Sequence, residues 1–497
     1  MQKFLKPWVL ASCTLAACLP AHAQPKHPLP AEVQAALTRA RVPTDAVAML
    51  VLEASSKSAP RLSHRANSPM NPASVMKLVT TYAALDLLGP SYTWRTPVWL
   101  DGPVVAGTLK GNLVIAGQGD PKLVLERLWL LLRRLQGLGV QRIAGNIVLD
   151  RRAFEVPPSN PADFDGEPLR PYNASPDALL VNFKSLVMTF TPDPNSLVAR
   201  VQIDPPLTGL QLPTQVPLSN GNGCNDYRAS LKADFSDPLR IRFNGSYPGA
   251  CGEKVWPVAY ADPTSYNARA LEGLWRNMGG QLDGTVLDGA APATAPTFEM
   301  VSPTLAEVIR DINKYSNNVM AQQLFFTLGL PMTMSNGTAG KNGNGVPRHN
   351  ATPANTPIAT LESARQALRE WWQRRISTQD MPNIDNGSGL SRLNRISAKN
   401  LADLLQAAYL SPNMPELVAS LPVVGVDGTL KRSQASHGNA HLKTGSLRDV
   451  TALAGYVHAA SGKRYVLVAM VNHANANAVR PAFDALIEWA VMDNQGN

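Results

Sequence analysis

Cysteine is scarce: the chain has four in 497 residues. Two of them, Cys13 and Cys18, fall in a leader-like stretch at the N-terminus. The other two, Cys224 and Cys251, have no nearby His or further Cys with which to form a zinc ligand set, so no metal is expected. Charged residues make up only 17% of the chain and aromatic residues 6%. The basic residues form no long run, which argues against a nucleic-acid-binding surface. Beyond the leader, no apolar run approaches the ~18 residues needed for a membrane-spanning helix. Stretches such as "LVLERLWLLLRRL" (123–135) are broken by charge. No internal repeat is visible.

What is present begins with that leader. Lys3 and Lys6 precede an apolar stretch from Trp8 to Leu19, followed by Pro20 and the small-residue step Ala21-His22-Ala23. This is the pattern of a secretory signal over residues 1–23, with cleavage expected after Ala23 and a periplasmic destination. "LAAC" (15–18) also fits a lipoprotein signal that would leave Cys18 lipidated, and this second option stays open. Cys224 and Cys251, an even pair in an exported chain, read as a disulfide. Removing Lys3 and Lys6 lowers the net charge of +9 by two. A basic exported protein suits anionic polymers and membrane surfaces, so peripheral membrane association is an expectation.

The rest of the chain is too long for one core. "AVAMLVLEA" (46–54) reads as a strand buried on both faces, because its apolar run is continuous. From about Arg95 the texture changes to short β-prone runs separated by Gly and Pro, and it stays so to about residue 285, with all strands and turns near 185–260. Helical periodicity returns over 304–326, 358–375 and 398–410. The segment 334–357, rich in Gly, Asn and Pro, reads as an exposed loop. The end reads as three strands and a helix. The fold class expected is α/β (α+β): a domain of residues 24–95 and 286–497, split by a β-rich inserted region over 96–285.

Three phrases carry chemistry. In "NPASVMKLVT" (71–80), Ser74 and Lys77 lie three residues apart at the start of a predicted amphipathic helix, 73–88, with Val75, Leu78, Val79, Tyr82 and Leu85 as its apolar stripe. Residues i and i+3 on a helix are neighbours, so Lys77 can reach the Ser74 hydroxyl. Serine needs a base to become a nucleophile. Lysine serves as that base only when neutral, which burial and a second cation promote. "KYSNNVM" (314–320) offers Ser316 and Asn318 at a helix break. "HLKTGSL" (441–447) offers Lys443 as the second cation and Thr444 as a hydroxyl donor to a carboxylate. Gly445 would permit close approach to the backbone.

The ordered set Ser-x-x-Lys, Ser-x-Asn, Lys-Thr-Gly resembles the signature of penicillin-binding proteins and serine β-lactamases. The long β-rich gap between Ser74 and Ser316 resembles the D-alanyl-D-alanine carboxypeptidase/endopeptidase branch (low-molecular-mass class C, DacB type). "GNLVIAGQGDP" (111–121), "GNIVLD" (145–150) and "DNGSGLSR" (385–392) support the likeness. The resemblance implies Ser74 as acylated nucleophile, Lys77 as base and Ser316 as proton relay, with Asn318 binding the substrate amide. Lys443, Thr444 and Ser446 would hold a terminal carboxylate, and the N–H groups of Ser74 and Ser446 would form an oxyanion hole. Peptidoglycan stem peptides and β-lactams are the implied partners, with no cofactor. Arg392 and, in "DFDGEPLRPYNA" (163–174), Tyr172 with Glu167 or Asp165 match stem-peptide-binding positions. The spacing favours Glu167 where the family has aspartate. Arg448 replaces a neutral residue found in some members. A β-lactamase fits the motifs but not the insertion; a catalytically silent binder fits the fold but not three intact motifs.

Overall fold

The computed structural model describes residues 28–219, 223–331 and 358–493. The leader, with its Ala23 step and Cys18, and the whole of the loop at 334–357 fall outside them. Among the described residues no helix is long and apolar enough to cross a membrane.

A five-stranded antiparallel sheet joins the two ends of the chain. Its order is Ala440–Leu447, Val450–His458, Arg464–Asn472, Val47–Glu53 and Leu62–His64. Alternate side chains of a strand face opposite sides of its sheet. In Val47–Glu53 both sides are apolar because both are covered. Val47, Met49 and Val51 pack with Val33, Leu37, Leu486 and Ile487 of the terminal helices Ala31–Arg39 and Arg480–Val491. Ala48, Leu50 and Leu52 pack into a larger helical layer on the other side.

The helix Lys77–Leu88 runs through the middle of that layer, against Leu305–Tyr315, Asn318–Leu328 and Leu361–Arg375. It is not amphipathic, as its spacing suggested. Lys77, Thr80 and Thr81 are buried along with Leu78, Val79, Tyr82 and Leu85. The helix is covered on every side, so a polar residue on it must find partners inside the protein. The turn before it, Ala73–Met76, is a tighter 3-10 segment rather than the first turn of the same α-helix.

The inserted region forms its own core. One sheet has the order Val286–Asp288, Ile147–Asp150, Asn112–Ala116, Arg95–Asp101, Phe298–Val301. A second is built from Tyr247–Pro248, Gln215–Ser219, Val198–Asp204, Ser185–Asp193 and Lys254–Ala259. Cys224 and Cys251 are bonded beside it. The first sheet takes in strands beyond residue 285. Phe298–Val301 pairs antiparallel with Arg95–Asp101, so the chain leaves and rejoins the helical layer at adjacent strands. A four-residue strand in a Gly/Ala/Pro-rich stretch has too little pattern to be read from sequence.

A buried polar seam fastens the insertion to the helical layer. The Gln323 side chain accepts from Asp177 N–H (2.8 Å) and donates to Asp177 C=O (2.9 Å). The Asp177 carboxylate meets Lys184 Nζ at 2.9 Å and the Arg151 guanidinium in a two-point contact. Burial pushes Asp177 upward, but Lys184 and Arg151 outweigh it and hold the carboxyl below its usual range. Asp177→Ala would strand the buried Lys184 and leave the half-buried Arg151 with Asp288 alone. We expect a loss of about 3–5 kcal/mol in urea or guanidinium unfolding, far above that of an Asp193→Ala control, whose partner Arg200 is exposed.

Candidate active site

Ser74 lies in the 3-10 turn at the head of the central helix. Ala73, just before it, has φ 47°, a left-handed backbone that a non-glycine residue rarely adopts. Surrounding bonds hold it there. Ala73 N–H donates to Asn71 Oδ1 (2.8 Å), while Asn71 N–H donates to Asn472 Oδ1 (2.8 Å). Asn472 Nδ2 returns a bond to Asn71 C=O (2.9 Å). Strain held in place by surrounding structure is common at functional sites.

The Lys77 amine is wholly buried and has no carboxylate partner among its hydrogen bonds. Nζ lies 3.0 Å from Ser74 Oγ, 2.6 Å from Asn318 Oδ1 and 2.5 Å from the Ser388 carbonyl. Burial, and then the nearby Lys443, hold its pKa well below the ordinary value. Two of these three neighbours, an amide oxygen and a backbone carbonyl, can only accept. A neutral amine has two N–H bonds for them and one lone pair left, which faces the Ser74 hydroxyl.

Ser316 follows the helix Leu305–Tyr315 and also has a left-handed backbone, φ 58°. Asn317 caps the next helix by accepting from Met320 N–H, and Asn318 opens it. This sharp junction aims both side chains at one place. Asn318 Oδ1 accepts from Lys77, and its Nδ2 donates to the Tyr172 carbonyl of the insertion at 3.4 Å.

Lys443 stands on Ala440–Leu447, the edge strand of the sheet. It is fully buried and donates to Thr444 C=O (2.7 Å) and to Ser316 Oγ (2.9 Å). Burial lowers its pKa from 10.5 to about 7. Gly445 admits close approach, but by this chain's own backbone. A Cβ there would sit 2.4 Å from Pro72 C=O and 3.0 Å from Ser74 N. Ser446 is exposed one residue further on.

The positions drawn from the insertion are arranged differently from the sequence reading. The Tyr172 hydroxyl donates to Asp165 Oδ2 (2.8 Å), not to Glu167. Glu167 pairs with Arg170 at 3.3 Å and is exposed. Asp165 also accepts from Asn173 Nδ2 and Glu167 N–H; against the upward push of burial, these bonds hold its carboxyl below the usual range. Arg392 is ion-paired with Asp449, and its guanidinium lies over the Phe164 ring, 5.2 Å from the centroid. Arg448 is exposed. The residues around the site that sequence reasoning missed are Asn71, Asn472 and Ser388. Ser388 acts through its carbonyl, which leaves no trace in a sequence.

With this geometry in place, comparison with known proteins identifies the class. Residues 29–492 match Peptidase S13, the D-Ala-D-Ala carboxypeptidase 3 (S13) family, and the chain belongs to that family. It is 24% identical over 407 residues to the D-alanyl-D-alanine carboxypeptidase DacB of Haemophilus influenzae, covering 80% of each chain. It is 28% identical over 415 residues to a D-alanyl-D-alanine carboxypeptidase of an Actinomadura species, covering 79% of this chain and 71% of that one. The fold matches the crystal structure of penicillin-binding protein 4 (dacB) from H. influenzae. The TM-score is 0.67 at 21% identity, over 92% of this chain and 99% of that one. A β-lactam complex of that protein matches with a TM-score of 0.64 at 21% identity, over 93% of this chain and 100% of that one.

Two outcomes follow from this geometry. Gly445→Ala should push the Ser74 turn out of place and cut activity at least about tenfold, with a stability loss on the order of 1–3 kcal/mol; the paired readouts are D-alanine release and thermal melting. The second concerns pH. Between about 7 and 10.5 the unfolded chain holds a proton on Lys443 that the folded chain has released. The unfolded state therefore binds more protons, and stability rises with pH across that window. Lys443→Met should reduce that rise in denaturation series from pH 7 to 9, leaving the part that Lys77 contributes.

Proposed function

We propose that this carboxypeptidase-family hydrolase is a serine D-Ala-D-Ala carboxypeptidase and endopeptidase that acts on peptidoglycan stem peptides through an acyl-enzyme on Ser74. One observation carries the reading: a buried Lys77 amine whose two obligatory acceptors leave its lone pair for the Ser74 hydroxyl, 3.0 Å away.

Lys77 takes the Ser74 proton as Oγ attacks the carbonyl of the penultimate D-Ala. The oxyanion forms against the N–H groups of Ser74 and Ser446, where a removed donor typically costs ~10²–10³ in rate. The Lys443–Ser316 pair carries a proton to the departing amine, which is D-Ala or the amino group of a cross-linked stem peptide. With its pKa about 7, Lys443 exchanges that proton near neutral pH. Water, activated through the same amines, then hydrolyses the ester and frees Ser74. Lys443, Thr444 and Ser446 take the substrate's terminal carboxylate, and Asn318 its amide. The β-lactam ring mimics the scissile amide, so β-lactams acylate Ser74 as well; the β-lactam complex of the similar protein supports this.

Tyr172, Asp165, Glu167 and Arg392 form the outer part of the site on this reading, contacting the remote end of the stem peptide. Asp165 is the better acidic group, because Tyr172 and Asn173 already orient it. The split peptidase domain, the inserted region, export by the leader and a periplasmic location belong to the same proposal.

The test is incubation of the purified protein with cross-linked muropeptides and with D-Ala-D-Ala pentapeptides. Release of D-Ala and of monomers is expected, and Ser74→Ala should abolish both that release and labelling by fluorescent penicillin while leaving the melting temperature unchanged. Labelling retained by Ser74→Ala would mean another nucleophile. Stable acylation with no peptide turnover would favour a silent binder, and rapid penicillin hydrolysis a β-lactamase.

A further inference from the structure

Beside the third motif stands a hydroxyl that the catalytic scheme leaves unused. Thr429 lies in the short turn Gly428–Leu430, and its Oγ1 is 2.6 Å from Thr444 Oγ1. Several contacts hold this turn against the edge strand. Val424 N–H donates to Ala440 C=O (3.0 Å), and Leu442 N–H donates to Pro422 C=O (2.9 Å). Asp427 Oδ1 accepts from Val423 N–H at 2.8 Å, and Asp427 Oδ2 meets Lys314 Nζ at 2.6 Å. Lys314 is two residues before Ser316 and buried. Gly428, with φ 56°, presses on the same helix end; a Cβ there would sit 2.6 Å from the Lys314 carbonyl. The turn is thus pinned both to the strand that bears Lys443 and to the helix that delivers Ser316.

We propose that Thr429 is a positioning residue for the carboxylate seat: it donates its hydroxyl hydrogen to Thr444 Oγ1 and so aims the Thr444 O–H at the substrate's terminal carboxylate. This rests on the functional reading above. The direction follows from the hydroxyl inventory. Each hydroxyl has one hydrogen and two lone pairs, so one hydrogen is used between the two oxygens and one remains. If Thr444 donated to Thr429, it would have no hydrogen for a carboxylate. Only the order Thr429 to Thr444 to carboxylate lets Thr444 serve the ligand, and hydrogen bonds in such a chain strengthen one another.

The test uses the full chain with Thr429→Val, close in shape but with no hydroxyl, and Thr429→Ser, which keeps it. Two readouts are measured: KM and kcat for a D-Ala-D-Ala peptide with a free carboxylate, and the inhibition constant of the same peptide with a C-terminal amide. Losing a hydrogen bond that supports a charged contact should raise KM for the acid about 5- to 20-fold in Thr429→Val, with kcat nearly unchanged. The amide's inhibition constant should stay within about twofold. Thr429→Ser should restore the wild-type KM, and the melting temperatures should agree. An unchanged KM for the acid, an equal shift on acid and amide, or a failure of Ser to restore would each overturn the inference while the wild type still turned over substrate. A wild-type protein that released no D-Ala would overturn the functional reading, and this inference with it.

Discussion

The fold must bury an amine with no carboxylate beside it. Lys77 lies at 0% exposure in the middle of the helical layer, its bonds going to a hydroxyl, an amide oxygen and a backbone carbonyl. A charged ammonium there would be costly to desolvate, so the interior favours the neutral form. Each partner comes from a different part of the chain: Ser74 from the turn before the helix, Asn318 from the helix junction, Ser388 from the loop after the helix Leu361–Arg375. These elements must converge to within hydrogen-bond distance of one nitrogen. The left-handed residues Ala73 and Ser316 are the local cost of bringing the two hydroxyl-bearing turns together.

The second amine follows the same logic from the sheet side. Lys443 is buried on the edge strand, and Gly445 is bare so that this strand can lie against the backbone of the Ser74 turn. The sheet and the helical layer are therefore not separate supports for a site placed between them. Their contact is the site, since the edge strand and the 3-10 turn touch through main-chain atoms. The insertion joins through the Tyr172 carbonyl at Asn318 and the Gln323–Asp177 seam one helix turn further on.

Much of this was legible in the sequence, for identifiable reasons. The strands Val47–Glu53 and Arg464–Asn472 announce themselves because burial on both faces demands an unbroken apolar run. The helix break at Ser316-Asn317 was legible because polar residues interrupt two apolar patterns. The three motifs could be joined only because a neutral lysine requires further polar groups, which two later phrases supplied. What was hidden has a common character. Ser388 and Tyr172 act through carbonyls, and every residue has one. Glu167 was preferred over Asp165 on spacing alone, yet the turn at Gly166 brings the Asp165 carboxylate, not that of Glu167, to the Tyr172 hydroxyl. The helix 73–88 was read as amphipathic from its apolar stripe of Val75, Leu78, Val79, Tyr82 and Leu85, which leaves Lys77, Thr80 and Thr81 off it. They are buried because further helices cover that side.

The pairing of Val47–Glu53 with Arg464–Asn472 has a consequence for how the protein comes into being. The inserted region is one continuous stretch whose first and last strands lie side by side, so it can close on itself as soon as it has emerged. The central sheet cannot, because the partners of its N-terminal strand are among the last residues to be synthesised. Lys443 and the Asn472 that steadies the Ser74 turn arrive with them. A chain still being completed therefore carries Ser74 without the strand that sets Lys443 against Ser316 or the Asn472 that steadies the Ser74 turn, and the cluster assembles only once the final strand is in place.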